Sequence, residues 1–297
     1  MTLPPATLQG SLQFELDSTR NGRRYRVRVA LPWIPPLDEG YPVLLVLDGD
    51  PFWACFGEAV RLRSLAREIA PAVVVGVSYP DADIQTSLDQ RNRDFIPTRT
   101  SPQGLAIARE WLPRTREFAG SDDFRRTLCE EVLPNVREHV PLASGPALLW
   151  GHSLGGLFVL ETVFRMPGFF AAAVASDPSV FWDDGVVLKD LPVFEHHVTE
   201  HKAAPRVLIA VSEKAQLPYN DHFPGPPDLR EAMSRRWTEA RNLDRCIELG
   251  SRLAALPGRP GYEARTIVVP RDHNGMVLEC LNTVLDFLLP APWPQPR

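Results

Sequence analysis

Ala147-Leu148-Leu149-Trp150-Gly151-His152-Ser153-Leu154-Gly155-Gly156 is the stretch on which the fold turns. Four apolar residues, the signature of a short buried strand, run directly into Gly-His-Ser-Leu-Gly. Helix-forming residues follow from Leu154 to Arg165. A strand, a tight turn carrying a serine between glycines, and a helix make the GxSxG elbow. In that turn the serine backbone is strained, and its hydroxyl stands beside a helix N-terminus that favours negative charge. A glycine-rich turn that only packs strand on helix is the plainer reading, but the flanking elements favour Ser153 as a nucleophile.

Working outward, similar short apolar runs recur at Val43–Leu47, Ala72–Val77, Ala171–Ala175, Val207–Val211 and Thr266–Val269. Such runs suit strands buried on both faces of a mostly parallel sheet. Segments able to form helices separate them: Glu58–Ile69, Ser121–His139, Leu229–Leu256 and Met276–Leu289. Alternating strand and helix implies an α/β fold with helices on both faces. Near the N-terminus, Ser11–Ser18 and Tyr25–Leu31 alternate around Asn21-Gly22, a hairpin signal, so an antiparallel pair extends one edge. Two stretches, 81–118 and 214–229, break the rhythm and read as loops framing a cleft. Without a linker separating two cores, residues 1–297 read as a single domain.

Composition narrows the class. The chain has 297 residues, 44% hydrophobic and 23% charged, with a net charge of −5. It is too acidic to suggest nucleic acid, too apolar for disorder, and lacks a run that would span a membrane. Cys55, Cys129, Cys246 and Cys280 are far apart, and MTLPPATLQG lacks the pattern of a secretory signal. The expectation is a cytoplasmic protein with reduced thiols, needing no metal and no cofactor. The 32 basic residues include only three lysines, a bias that by itself assigns no function.

A serine hydroxyl needs a base. In this architecture the chain order is nucleophile, acid, histidine, and His273 alone follows the last strand candidate. His222, beside Asp221 in the irregular loop, is the rival. The orienting acid is sought after Val207–Val211, where Glu213 comes first and Asp221 next; a dyad without an acid is the third option. The oxyanion donors are expected at the Leu154 amide and at Gly49 or Asp50, after the first parallel strand. Asp48-Gly49 read as a plain turn is the alternative.

Val46-Leu47-Asp48-Gly49-Asp50, Arg91-Asn92-Arg93-Asp94-Phe95-Ile96-Pro97-Thr98, Gly151–Gly156, Asp177-Pro178-Ser179 with Trp182, and His273 together resemble the putative esterase (esterase D-like) family of α/β-hydrolases. Within it the chain is most similar to trilactone esterases acting on enterochelin and bacillibactin, which open catecholate siderophores to release iron. The resemblance runs from the hairpin to the helix after His273 and implies a serine esterase working through an acyl-enzyme on a small ester. Two positions depart from the family pattern: Asp177 stands where serine is common, and Asn274 follows the histidine where glycine is common.

Arg91, Arg93 and Arg99 are candidates for holding an anionic substrate, since guanidinium forks suit carboxylate or catecholate oxygens. An internal Arg93–Asp94 ion pair is the competing assignment. Trp182 and Trp53 are candidates for stacking on an aromatic ring, or for packing. The anticipated partner is a small-molecule ester, with neither nucleic acid nor membrane. Two other readings stay open: an enzyme for another acyl substrate (a thioester, a feruloyl-type ester or an acyl acceptor), and a non-catalytic binding module on the same fold.

Overall fold

The Asn21-Gly22 turn closes as its sequence demands. Gly22 takes φ +68°, a region without penalty only for glycine, and the Gly22 amide donates to Ser18 O at 2.9 Å. It joins β1 (Ser11–Asp17) to β2 (Arg24–Ala30). The structure is a computed structural model and describes residues 8–36, 40–80, 83–217 and 227–293. The remaining strands are β3 (Val43–Val46), β4 (Val73–Ser78), β5 (Ala147–His152), β6 (Phe170–Ser176), β7 (Arg206–Ser212) and β8 (Glu263–Val269).

All eight lie in one sheet of order β1-β2-β4-β3-β5-β6-β7-β8. β2 is antiparallel to both β1 and β4, and every other pairing is parallel. The mostly parallel sheet with an antiparallel edge is the expected α/β architecture.

The helices are α1 (Gly49–Leu65), α2 (Ile84–Phe95), α3 (Pro102–Trp111), α4 (Ser121–Arg126), α5 (Leu133–His139), α6 (Leu154–Arg165), α7 (Leu191–Thr199), α8 (Pro227–Ala240), α9 (Asn242–Ala254), α10 (Gly275–Glu279) and α11 (Leu281–Leu288). A π turn over Thr127–Val132 joins α4 to α5. One face of the sheet is covered by α1, α10 and α11, whose Phe56, Val60, Met276 and Leu285 bury the sheet residues Leu44, Val74 and Trp150. The other face packs under α6, α7 and α9 through Phe158, Phe164, Phe194 and Leu249. Each such side chain, fully buried, contributes roughly 1.5–3 kcal/mol. Among the described residues no helix is long and apolar enough to cross a membrane, and all four cysteines are unpaired.

Three expectations are corrected. The stretch 81–118 is not one long loop: it holds α2 and α3. Their caps were present in the sequence, since Asp83 accepts from the Thr86 amide and Ser101 from the Gly104 amide, with Pro102 opening α3. The first long helix begins at Gly49, nine residues before Glu58, because Asp48 turns the chain at φ 51° straight out of β3. The segment 229–256 is two helices, broken where Arg241 adopts φ 49°. Of the expected loop 214–229, residues 218–226 lie outside the described residues, and Asp221 and His222 with them.

Candidate active site

At the top of β5 the chain makes a very tight turn. Ser153 sits at φ 62°, ψ −120°, an unfavourable conformation for a residue with a side chain. The turn closes only because its neighbours lack Cβ atoms. A Cβ on Gly151 would lie 2.5 Å from Gly155 O, and one on Gly156 would lie 2.9 Å from Ser176 O. Gly155 itself has ordinary room. The Ser153 amide is tied to Ser176 O at 2.9 Å.

Leu154 opens α6, so its amide is among those that the helix leaves unsatisfied. In the neighbouring strand, Val46 pairs with Trp150, and Gly49 opens α1. Two helix N-termini therefore start from adjacent strand ends. A Cβ on Gly49 would meet the Gly76–Val77 backbone at 2.9 Å, so only glycine lets α1 begin there. Asp48 anchors the turn through a bidentate pair with Arg91, Nε to Oδ1 at 2.7 Å and a terminal nitrogen to Oδ2 at 2.9 Å. The same Arg91 nitrogen reaches His152 O at 3.4 Å. Arg91 thus ties the loop after β3 to the residue preceding the elbow serine.

His273 donates from Nδ1 to Asp177 Oδ2 at 2.6 Å, leaving Nε2 as the free acceptor. Asp177 is fully buried at the end of β6, with φ 41°. Its other oxygen accepts the Ser212 amide at 3.1 Å, and the Ser212 hydroxyl donates to Arg271 O at 2.5 Å. One serine at the end of β7 therefore orients the carboxylate and pins the loop that carries the histidine. Glu213, the acid sought from the sequence, is exposed at the neighbouring strand end; its amide donates to Val269 O. The carboxylate that meets the imidazole is Asp177, one strand earlier, with the order serine, acid, histidine preserved. Its signal was on view as aspartate in Asp177-Pro178-Ser179.

Ser153 and His273 line one cavity of about 390 Å³, with Asp48, Asp50, Phe52, Tyr79 and His152. Ser153 and Leu154 also line a second, of about 470 Å³, walled by Trp111, Phe181, Trp182 and Trp237. Trp237 stands edge-on to His273 with centroids 6.0 Å apart, and to Phe181 at 5.6 Å. Sequence reading found Trp182 in this wall but missed Trp111, Phe181 and Trp237.

His152 packs against His273 with ring centroids 4.4 Å apart. Burial, then the neighbouring His273 and Arg91 charges, hold its pKa well below the usual imidazole range, so it is neutral. Its Nδ1 lies 3.2 Å from Ser176 Oγ.

The arginines sort differently from expectation. Arg91 pairs with Asp48 and also lines both cavities that Ser153 lines. Arg93 lines neither serine cavity and pairs with Asp94 at 3.4 Å and Glu117 at 3.2 Å, so the internal ion pair is present. Arg99 pairs with Asp190. Trp53 is a packing residue whose Nε1 donates to Val74 O. Asp94 lies beneath this region, accepting from Tyr25 and Tyr79 hydroxyls at 2.8 and 3.0 Å; burial pushes its carboxyl up to about 6.

Comparison with known proteins adds four findings. The model of the family described as Putative esterase matches residues 18–224. The chain is 31% identical over 219 residues to the ferri-bacillibactin esterase of Bacillus subtilis, covering 71% of this chain and 72% of that one. It is 28% identical over 266 residues to a siderophore triacetylfusarinine C esterase of Aspergillus fumigatus, covering 82% of each. Among solved structures, the BES protein from Bacillus cereus superposes with a TM-score of 0.77 at 24% identity, covering 97% of this chain and 99% of that one.

Proposed function

The chain belongs to the putative esterase family and is an esterase, and from that premise we propose that Ser153, His273 and Asp177 hydrolyse a siderophore-type ester through an acyl-enzyme. The observation that carries this reading is the 2.6 Å bond from His273 Nδ1 to a fully buried carboxylate, which leaves Nε2 to act as base in a cavity shared with the strained Ser153.

Ser153 Oγ attacks the ester carbonyl while His273 Nε2 takes its proton. Asp177 fixes the tautomer and stabilises the imidazolium. The Leu154 amide and the Gly49 or Asp50 amide hold the developing oxyanion at the two helix N-termini. His273 then protonates the leaving alcohol, and afterwards activates the water that clears the acyl group. Neutral His152, packed against the His273 ring, adds no competing positive charge.

For the substrate, support comes from relatives named for siderophore esters and from the Trp111, Phe181, Trp182 and Trp237 wall beside the nucleophile, which suits an aryl acyl group. That wall also accommodates a feruloyl-type ester, the second reading. Residues 1–297 are read as one catalytic domain because one sheet carries every catalytic group. Four unpaired thiols support a cytoplasmic setting.

Ser153→Ala lowers hydrolysis of a p-nitrophenyl ester by about 10⁵-fold or more if the assignment holds; undiminished turnover removes it. Trilactones are then compared with simple aryl esters. Trilactone turnover no faster than a generic ester removes the siderophore substrate while leaving the esterase.

A further inference from the structure

We infer that the arginine-lined cavity beside the catalytic cleft is a subsite for the polyanionic, metal-chelating end of the substrate, separate from the wall that takes the acyl group. The inference rests on the siderophore reading and specifies which form of the substrate is preferred.

This cavity, of about 650 Å³, is lined by Arg23, Arg93, Arg114 and Arg116, with Asp89 and Glu117 as the acidic residues. Asp89, Pro113 and Arg114 also line the aromatic catalytic cavity, so the two spaces share a wall. One molecule can therefore present an ester to Ser153 and a charged end to the arginines.

The charge accounting favours an anion. Arg23 and Arg93 converge on the single carboxylate of Glu117, and Arg93 also meets buried Asp94. Asp89 is engaged by the Thr115 hydroxyl at 3.1 Å. Arg114 and Arg116 are exposed and form no ion pair among the described residues; the carboxyl of exposed Asp83 is lowered chiefly by the Thr86 amide, with Arg114 a minor contributor. Four guanidinium groups thus face three carboxylates, Asp89, Asp94 and Glu117; Arg23 and Arg93 are the two in ion pairs, and Arg114 and Arg116 remain to meet an anion. The arginines around the cavity below α9 behave differently: Arg241, Arg245 and Arg252 each pair with a carboxylate of their own, Asp244, Asp184 and Glu195.

The chemistry of the occupant follows. Iron(III) held by three catecholate dianions is a trianion, whereas the iron-free trilactone has neutral phenols at pH 7. On a chain of net charge −5, an anion needs a local positive field to approach, and this cavity shares Asp89, Pro113 and Arg114 with the one that Ser153 lines. Guanidinium forks are suited to paired catecholate oxygens.

The test is kcat/KM for the ferric and the iron-free form of one catecholate trilactone, from 10 to 300 mM sodium chloride. Arg116→Glu and Arg116→Lys are the variants, because Arg116 borders only the outer cavity. In the parent, the ferric rate falls about ten-fold across the salt series and the iron-free rate less than about two-fold. Arg116→Glu lowers the ferric-to-iron-free ratio about five-fold at low salt and flattens the salt slope, while Arg116→Lys retains most of both. A ratio indifferent to Arg116→Glu, or identical salt slopes for the two forms, overturns the subsite alone. A parent that cleaves a p-nitrophenyl ester but neither trilactone overturns the siderophore reading and the subsite together.

Discussion

Two walls meet at Ser153, and they are built on opposite principles. The elbow wall, from β5 into α6, is local and rigid. Its geometry is dictated by glycines a few residues apart, and a Cβ at Gly151 or Gly156 collides with backbone. The facing wall, from α2, α3 and α8, is assembled from distant residues and carries tryptophans and arginines. In the proposed mechanism the first wall sets the chemistry and the second selects what reaches it. Substitutions in the first should therefore act on kcat, and those in the second on KM and substrate preference.

The sharpest test of that division compares two strand-end carboxylates. Asp177→Asn should lower kcat by about 10³–10⁴-fold, because the amide no longer favours the productive imidazole tautomer. Glu213→Gln, one strand away and exposed, should stay within about two-fold in the same assay. Equal losses would mean that the acid has been placed on the wrong strand.

Arg91 sits where the walls join. Arg91→Ala frees Asp48 and the Gly49 turn, and the expected loss is about 10- to 100-fold in kcat with little change in KM. Affinity for an aryl trifluoromethyl ketone, which mimics the tetrahedral oxyanion, should fall in parallel. A rise in KM alone would instead make Arg91 a substrate-binding residue, as its sequence context first suggested.

On the selecting wall, Trp237→Ala should raise KM for an aromatic ester about ten-fold and leave a short acetyl ester nearly unaffected. A uniform loss on both esters would place Trp237 with the chemistry, through its contact with His273.

The smallest effect concerns stability beneath the wall. Asp94 has its folded-state pKa raised to about 6, above the ordinary 3.8 of an aspartate. Its protonated form is the one that the fold favours. That contribution is complete below the unfolded-state value and disappears as pH rises through 6. Asp94→Asn should thus gain on the parent by up to about 3 kcal/mol between pH 3.5 and 7.5, an upper bound given the two tyrosine donors. Denaturant midpoints at the two pH values measure it; a difference independent of pH would show that folding does not raise the Asp94 pKa.

The contrast between the walls also explains what could be read from the chain. Gly151–Gly156 were legible because strand, turn and helix are consecutive, and the hairpin at Asn21-Gly22 for the same reason. His273 was reached by its order along the chain. Asp177 was not, since the choice between two adjacent strand ends depends on which side chain turns inward; a φ of 41° at Asp177 and the Ser212 amide decide it. Arg91 lines both serine cavities, as its sequence context led one to expect, but its pairing with Asp48, 43 residues away, was not legible. The α2 and α3 helices were hidden by their polar, arginine-rich composition, although Asp83 and Ser101 cap them. Trp237 approaches the site only through the packing of α8.

Peptide mass mapping after reaction with a fluorophosphonate tests the central assignment most directly. One adduct is expected, on the peptide carrying Ser153, formed rapidly in the parent, far more slowly in His273→Ala, and absent in Ser153→Ala. An adduct on a different residue, or labelling as fast without His273 as with it, would contradict it.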